Sequence, residues 1–188
     1  MYIEKMFERY RDWKLLRLFL QFPDKGFYTQ EIARKTGVGS GTVNTFLRNI
    51  YKDNILNKEI TGNTHIYKLN NERELSKHLK IVHTLIEFEQ FKLVEHILKN
   101  NNTILTIILY GSHANGEYDS KSDIDLLLLL NEKKSLTTVL QKLEKNLKKP
   151  INIQMINIPE WHKLKEKDKI FYESILENHI VLWGSGLP

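Results

Sequence analysis

Residues 104–130 read ILTIILYGSHANGEYDSKSDIDLLLLL, and this stretch decides the fold of the second half of the chain. Its two apolar runs, 104–110 and 124–130, have the length of strands and are apolar on nearly every residue, as strands covered on both faces are. Between them, a turn with Gly111 and Ser112 opens a short helix. A helix at 136–147, a strand at 151–156, helical residues at 160–177 and a strand at 180–183 are predicted to follow. This order predicts an α/β or α+β layer structure.

The turn and the second strand carry groups suited to phosphate and metal chemistry. Backbone N–H groups at a turn such as Gly111–Ser112 form an anion site, and a glycine lets a phosphate approach the chain closely. Asp123 and Asp125 are two apart on a strand, so both carboxylates project from the same face. Adjacent carboxylates repel unless a cation lies between them, and oxygen ligands suit Mg²⁺ or Mn²⁺. The pattern predicts metal-assisted nucleotidyl or phosphoryl transfer.

The two motifs, G-S-x-A-x-G at 111–116 and S-D-x-D-I/L at 122–126, resemble those of the DNA polymerase beta-like nucleotidyltransferases, most closely the minimal nucleotidyltransferases of archaea and bacteria. The resemblance covers about residues 90–185 and includes ILENHIVLWG at 175–184. It implies a small domain with a mixed sheet that takes a nucleoside triphosphate and Mg²⁺ or Mn²⁺. By the same resemblance, the nucleotide is bound by Gly111, Ser112, His113 and Ser122, and the metal and the chemistry belong to Asp123 and Asp125.

One departure from the family pattern concerns a third acidic residue, which active members carry on a following strand. Here that strand, 151–156, reads INIQMI, and alternation places Asn152 and Gln154 on the predicted site face. An amide oxygen can ligate a metal, but it brings no charge and cannot act as a general base at neutral pH. The sequence leaves open whether the site transfers a nucleotide or only binds one, and whether another carboxylate, such as Glu160, replaces the missing one.

The first part of the chain carries a different pattern, FYTQEIARKTGVGSGTVNTFLRNIYKDNIL at 27–56. Apolar spacing predicts helices at 12–22, at 30–35 with Thr29 as N-cap, and from Ser40 or Gly41 onward, followed by a hairpin of 55–60 and 65–69. This order resembles the winged helix-turn-helix of bacterial and archaeal transcription regulators. The resemblance implies that the third helix enters the major groove of DNA and that the hairpin meets phosphates. The implied DNA contacts are Thr42, Asn44, Thr45, Arg48, Lys58 and Lys68.

The charge distribution agrees with such a role without proving it. Residues 1–70 hold 12 Lys and Arg against 7 Asp and Glu, whereas residues 71–188 hold 16 of each, so the whole excess of +5 lies in the first part. A polyanion is attracted to such a region. Winged helices also serve as dimerisation or protein-docking modules, and the third helix offers only Arg48 and Lys52 as cations.

The predicted architecture is therefore α+β in three segments. A winged helix-turn-helix domain, all α plus a wing, occupies 1–70, a helical connector 71–100, and a small α/β nucleotidyltransferase domain with a mixed sheet 101–188. The connector is one long helix or two in tandem, and its apolar stripe predicts a homodimer.

Several classes of protein are excluded by composition. The sequence has no cysteine, which rules out disulfides, thiolate zinc sites and cysteine nucleophiles. No apolar run approaches the roughly 18 residues of a membrane span, and the N-terminus lacks the apolar core of a signal peptide. We therefore expect a soluble, cytoplasmic protein without a membrane partner.

Three functions remain open at this point. The first is a Mg²⁺-dependent nucleotidyltransferase that moves a nucleoside monophosphate from a triphosphate to an acceptor; the resemblance implies that the acceptor can be a helical toxin-type partner protein. The second is a DNA-binding, antitoxin-like transcriptional regulator whose transferase domain binds a nucleotide but is catalytically weak or inactive. The third is a protein-interaction scaffold that uses neither site.

Overall fold

The computed structural model describes residues 10–62 and 64–188. The chain divides into two compact units, and the boundary falls between His83 and Thr84. The first unit holds the described residues up to His83 together with Tyr118–Ser120, and the second holds Thr84–Glu117 and Lys121–Pro188. The predicted division at 70 and 100 stays a prediction.

The first unit combines helices with a small antiparallel sheet. Its elements are α1 (Arg11–Gln21), β1 (Phe27–Tyr28), α2 (Thr29–Thr36), α3 (Ser40–Lys52), β2 (Leu56–Thr61), β3 (Thr64–Leu69) and the first part of α4 (Glu74–Gln90). The strand order in the sheet is β1-β3-β2, and β2 and β3 form a hairpin in which Leu56 lies opposite Leu69.

Apolar residues three and four apart on α1, α2 and α3 fill the core of this unit, because that spacing puts them on one helix face. Leu15, Phe19, Ile32 and Val43 are fully buried. The predicted N-cap at Thr29 is wrong: Tyr28 holds the cap position without a side-chain bond, and α2 begins at Thr29 itself. The Thr29 hydroxyl instead donates to Asn44 Oδ1 over 3.0 Å.

Tyr118–Ser120, although distant in sequence, is fixed within the first unit by hydrogen bonds. The Tyr118 hydroxyl donates to the Leu20 carbonyl at 3.0 Å. Both the backbone N–H and the hydroxyl of Ser120 donate to the Asp24 carboxylate, at 2.9 and 2.8 Å. Burial raises the pKa of Asp24, but the bonds from Ser120, together with the bond from the Asp24 backbone and the charge of Lys25, outweigh it, and the net shift is downward. This carboxylate therefore stays ionised and holds Ser120.

The second unit is built on a mixed four-stranded sheet. Besides the rest of α4, its elements are α5 (Leu93–Asn100), β4 (Ile104–Tyr110), α6 (Ser112–Asn115), β5 (Ile124–Leu130), α7 (Thr137–Leu147), β6 (Ile151–Ile156), α8 (Ile158–Lys167), α9 (Lys169–Glu177) and β7 (His179–Gly184). The strand order is β6-β5-β4-β7. Strand β4 is antiparallel to both β5 and β7, whereas β5 and β6 are parallel because the helix α7 connects them as a crossover.

Both faces of this sheet are covered, which explains why β4 and β5 are apolar at nearly every position. On one face Leu109 and Leu126 pack in a cluster with Leu93 of α5 and Leu143 of α7. On the other face a second cluster contains Ile108, Leu127, Leu129, Trp161 and Ile175. The predictions for the strands at 104–110, 124–130 and 151–156, and for a mixed α+β fold, are confirmed.

Two predicted helical segments each consist of two helices. The residues predicted as helical at 160–177 form α8 and α9, which are separated at Asp168, whose carboxylate accepts a bond from Phe171 N and so starts α9. The predicted connector contains α4 and α5, with Lys92 between them at a φ of +50°. The final strand extends one residue beyond each predicted end.

Within residues 10–62 and 64–188, every helix is too short or too polar to cross a bilayer.

Candidate functional site

Asp123 and Asp125 lie at the beginning of β5, where a third side chain from the parallel strand β6 joins them. In the strand register, Asp125 is opposite Asn152. The Asn152 amide nitrogen donates to Asp123 Oδ2 at 3.2 Å and to Asp125 Oδ1 at 3.1 Å. The expectation that Asn152 shares a face with the two aspartates is therefore confirmed. Gln154 lies further along β6, opposite Leu127, and is exposed.

The turn after β4 lies directly against the Asp125 carboxylate. Gly111 has φ +69° and ψ −155°, a backbone region that is essentially restricted to glycine. A Cβ on Gly111 would lie 2.7 Å from Asp125 Oδ2, closer than any real contact of that kind. The Gly111 carbonyl accepts from Ala114 N at 3.0 Å, which closes the turn into α6. The first turn of a helix presents backbone N–H groups without an intrahelical acceptor, so this turn can bind an anion beside the carboxylates.

His113 and Ser122 occupy supporting positions around the turn and the strand. His113 is 3% exposed, and its Nδ1 lies 2.9 Å from the Thr84 hydroxyl. The Ser122 carbonyl accepts a hydrogen bond from Lys149 Nζ at 3.1 Å. Ser112 is partly exposed at the start of α6. The nucleotide-binding roles of His113, Ser112 and Ser122 stay predictions.

Two residues that sequence reasoning missed adjoin the site. Lys149 precedes β6 and fixes the residue before Asp123 by the bond to Ser122. Tyr110 ends β4 opposite Asp125, and its ring packs edge-to-face on Phe171 at 5.6 Å. Burial, with the negative charge of Asp125 as a second cause, raises the pKa of Tyr110 to about 12. Its phenol therefore stays neutral at physiological pH. In the sequence, the phenol of Tyr110 at the end of an apolar strand is the feature that could have indicated its place beside the site.

Glu160, the alternative carboxylate that the sequence left open, has a different task. It forms a capping box with Asn157 at the start of α8, accepting from Asn157 N at 2.9 Å. It also pairs with Lys133, whose Nζ lies 2.9 Å from Oε2. The bond from Asn157 and then the bond from Lys133 lower the pKa of Glu160. The Glu160 carboxylate is thus engaged by Asn157 and Lys133 at the start of α8.

The donor set at β5 fits a divalent cation that arrives with part of its own ligands. No group of three or more Asp, Glu and His side chains placed to hold a metal occurs among the residues that the structure describes. The two carboxylate oxygens nevertheless both lie within 3.2 Å of one atom, Asn152 Nδ2. The two carboxylates therefore face one shared position, and phosphate oxygens are suitable further ligands for Mg²⁺.

The predicted DNA contacts do not all lie together. On α3, Asn44, Thr45 and Arg48 are exposed and Thr42 is partly exposed, on the side away from the core. In the hairpin, Lys58 is opposite Tyr67 and Lys68 is opposite Asn57. Neighbouring pairs point to opposite faces of a sheet, so the two lysines do not share a face. The role of these residues in DNA binding stays a prediction.

The site lies within a region of the chain that matches a known protein family. The family described as "Polymerase beta, Nucleotidyltransferase" matches residues 92–185, which is half of the chain and includes Gly111, Asp123, Asp125 and Asn152. A curated relative from Methanocaldococcus jannaschii, "Putative protein adenylyltransferase MJ0141", is 38% identical over 53 residues, which cover 26% of this chain and 54% of the relative. The chain thus spans about half the length of that relative.

Two solved structures have some likeness to the chain. A toxin-antitoxin crystal structure with AMP-PNP has a TM-score of 0.38 at 20% identity, covering 50% of this chain and 72% of that chain. A mutant form of the toxin-antitoxin MntA-HpeT also has a TM-score of 0.38 at 20% identity, covering 51% of this chain and 72% of that chain. Scores this low carry no argument about function.

Proposed function

Because the chain belongs to the Polymerase beta nucleotidyltransferase family, we propose that it transfers a nucleoside monophosphate from a nucleoside triphosphate to an acceptor hydroxyl group. The observation that carries this proposal is the approach of Gly111 to Asp125, where a Cβ would lie 2.7 Å from the carboxylate. This approach supports the proposal because nucleotidyl transfer needs an anion-binding group beside metal-binding carboxylates, and we assign these two tasks to the turn and to the aspartates.

Each group in this site has one task in the proposed reaction. The turn at Gly111 and Ser112 binds the triphosphate through backbone N–H groups. Asp123 and Asp125 hold a divalent cation, which draws charge from the phosphate oxygens when it is bound. The acceptor oxygen forms a bond to the α-phosphorus, the bond from that phosphorus to the α–β bridging oxygen breaks, and pyrophosphate leaves with the electron pair. The acceptor proton passes to water, since the Asn152 amide is no base at neutral pH.

The acceptor that we propose is a hydroxyl group of a protein side chain, and the nucleotide is ATP. The name of the curated relative, a protein adenylyltransferase, supports this choice. The half-exposed position of Asp123 and Asp125 also supports it, because a protein chain can reach carboxylates that are not enclosed. The helical toxin-type partner, the homodimer and the cytoplasmic location remain predictions from the sequence.

The transfer reaction is tested by following two labels of ATP separately. The wild-type protein is incubated with Mg²⁺, a protein extract of the organism that it comes from, and ATP labelled at either the α- or the γ-phosphate. We expect label from the α-phosphate on protein and label from the γ-phosphate in released pyrophosphate, because the bond between the α- and β-phosphates breaks. Transfer of the γ-label to protein would contradict the proposal, since it would show phosphoryl transfer.

A second candidate function, DNA binding by the first unit, is favoured by the exposed polar side of α3. We propose that α3 lies in the major groove and that Arg48 reaches a base edge or a phosphate. Fluorescence anisotropy with a labelled duplex at low salt is expected to show binding that Arg48→Ala weakens by roughly tenfold. Lys163→Ala on α8, which also removes one exposed cation, is the matched control and is expected to bind as the wild type does. If Arg48→Ala and the wild type bound the duplex with equal affinity, the proposed DNA contact of Arg48 would be wrong.

A further inference from the structure

Asn152 makes a contact that neither of its neighbours on β6 makes: one amide nitrogen bonds two carboxylates. Its distances to Asp123 Oδ2 and Asp125 Oδ1 are nearly equal, 3.2 and 3.1 Å. A side-chain amide nitrogen carries two hydrogens, so one can be directed to each carboxylate. The two bonds use the full donor capacity of this nitrogen.

The physical consequence concerns the repulsion between the two carboxylates. Two such groups side by side destabilise each other when both are ionised, and a cation between them normally removes this penalty. The Asn152 amide offers a positive dipole end at that place without a net charge. A carboxylate at position 152 would have no hydrogen to donate at neutral pH and would add a third negative charge. An asparagine at position 152 thus stabilises the two neighbouring carboxylates without a metal ion, whereas an aspartate there would need a metal ion to offset the repulsion.

We propose that Asn152 is a neutral bridge that holds the Asp123 and Asp125 carboxylates together in the absence of metal and limits the site to the single cation that arrives with the nucleotide. The inference rests on the proposed nucleotidyltransferase function for the identity of that nucleotide. With only two charged ligands the protein binds a bare divalent cation weakly, and the phosphate oxygens of the nucleotide supply the missing ligands. A cation held between the two carboxylates would take the place of the Asn152 amide hydrogens as their partner.

Melting temperatures and calorimetric titration with MnCl₂ alone test the bridge. The variants are Asn152→Asp and Asn152→Ala, with Gln154→Asp and Gln154→Ala as matched controls on the same strand. Gln154 is exposed as Asn152 is, and it lies opposite an apolar residue, Leu127. In EDTA we expect both Asn152 variants to melt about 3 °C or more below the wild type, and both controls to melt with it. We expect Mn²⁺ to bind Asn152→Asp at least about tenfold more tightly than the wild type, because a third charged ligand is present.

Separate results would overturn the bridge and the proposed function. The bridge is wrong if both Asn152 variants melt with the wild type in EDTA, or if Mn²⁺ binds Asn152→Asp no more tightly than the wild type. Should Asn152→Asp fail to fold, Asn152→Ala decides the question: unchanged melting in EDTA overturns the bridge, and lowered melting supports it. Absence of Mn²⁺–ATP binding by the wild type would contradict the proposed function but leave the EDTA result standing as evidence on the bridge.

Discussion

Gly111→Ala is expected to lower the free energy of unfolding by about 3 kcal/mol and to abolish binding of Mg²⁺–ATP. Backbone at φ +69° and ψ −155° costs a residue with a Cβ about 1–3 kcal/mol. In addition, the new methyl group would lie 2.7 Å from Asp125 Oδ2, so either the turn or the carboxylate must move. Both belong to the proposed site, so a shift of either one changes the geometry of that site. Urea unfolding and calorimetric titration with Mg²⁺–ATP measure the two effects.

Gly37→Ala separates backbone strain from the steric effect at the site. Gly37 has a φ of +68° at the end of α2, and among the described residues no atom outside its own helix backbone and chain neighbours lies within 4 Å of the position that a Cβ would take. We expect it to cost about 1 kcal/mol and to leave Mg²⁺–ATP binding unchanged. If Gly111→Ala lost no more stability than Gly37→Ala and bound Mg²⁺–ATP normally, the close approach of the turn to Asp125 would have no functional meaning.

The strands of the second unit could be predicted from the sequence because their burial leaves a simple pattern. Strands β4 and β5 are covered on both faces, so each is a continuous apolar run with polar residues at its ends. The Gly-Ser turn and the Asp pair have a fixed spacing along the chain and could be predicted as one site. Asp168 was missed as a break, since its bond to Phe171 N depends on backbone geometry that a continuous amphipathic pattern conceals.

The contacts within the site depend on the register between paired strands, which cannot be read from the sequence. Strand β6 follows β5 only after the crossover through α7, and either neighbouring residue of β6 could have faced Asp125 with a different offset. The bonds from Asn152 to both carboxylates exist because the offset pairs Asn152 with Asp125. The bond from Lys149 to the Ser122 carbonyl has the same origin. The opposite faces of Lys58 and Lys68 likewise follow from the pairing of the hairpin.

Asp125→Asn is expected to reduce the affinity for Mg²⁺–ATP at least about a hundredfold. Loss of a residue that only hydrogen-bonds to a metal ligand already costs up to about a hundredfold in affinity, and loss of the ligand itself costs no less. The change keeps the shape of the side chain and an oxygen that can still accept from Asn152, but it removes one of the two charges that hold the cation. The side chain is only partly buried, so the melting temperature should stay within about 2 °C of the wild type. Glu166→Gln, an exposed carboxylate of α8 changed in the same way, is the control.

The central claim is that the turn at Gly111 and the carboxylates of Asp123 and Asp125 form one metal–nucleotide site. Calorimetric titration of Mg²⁺–ATP into the wild type, Asp125→Asn and Glu166→Gln tests it most directly. We predict saturable binding of one nucleotide to the wild type and to Glu166→Gln, and no measurable heat with Asp125→Asn at the same concentrations. Binding of equal affinity in all three proteins, or no binding to the wild type, would contradict the claim.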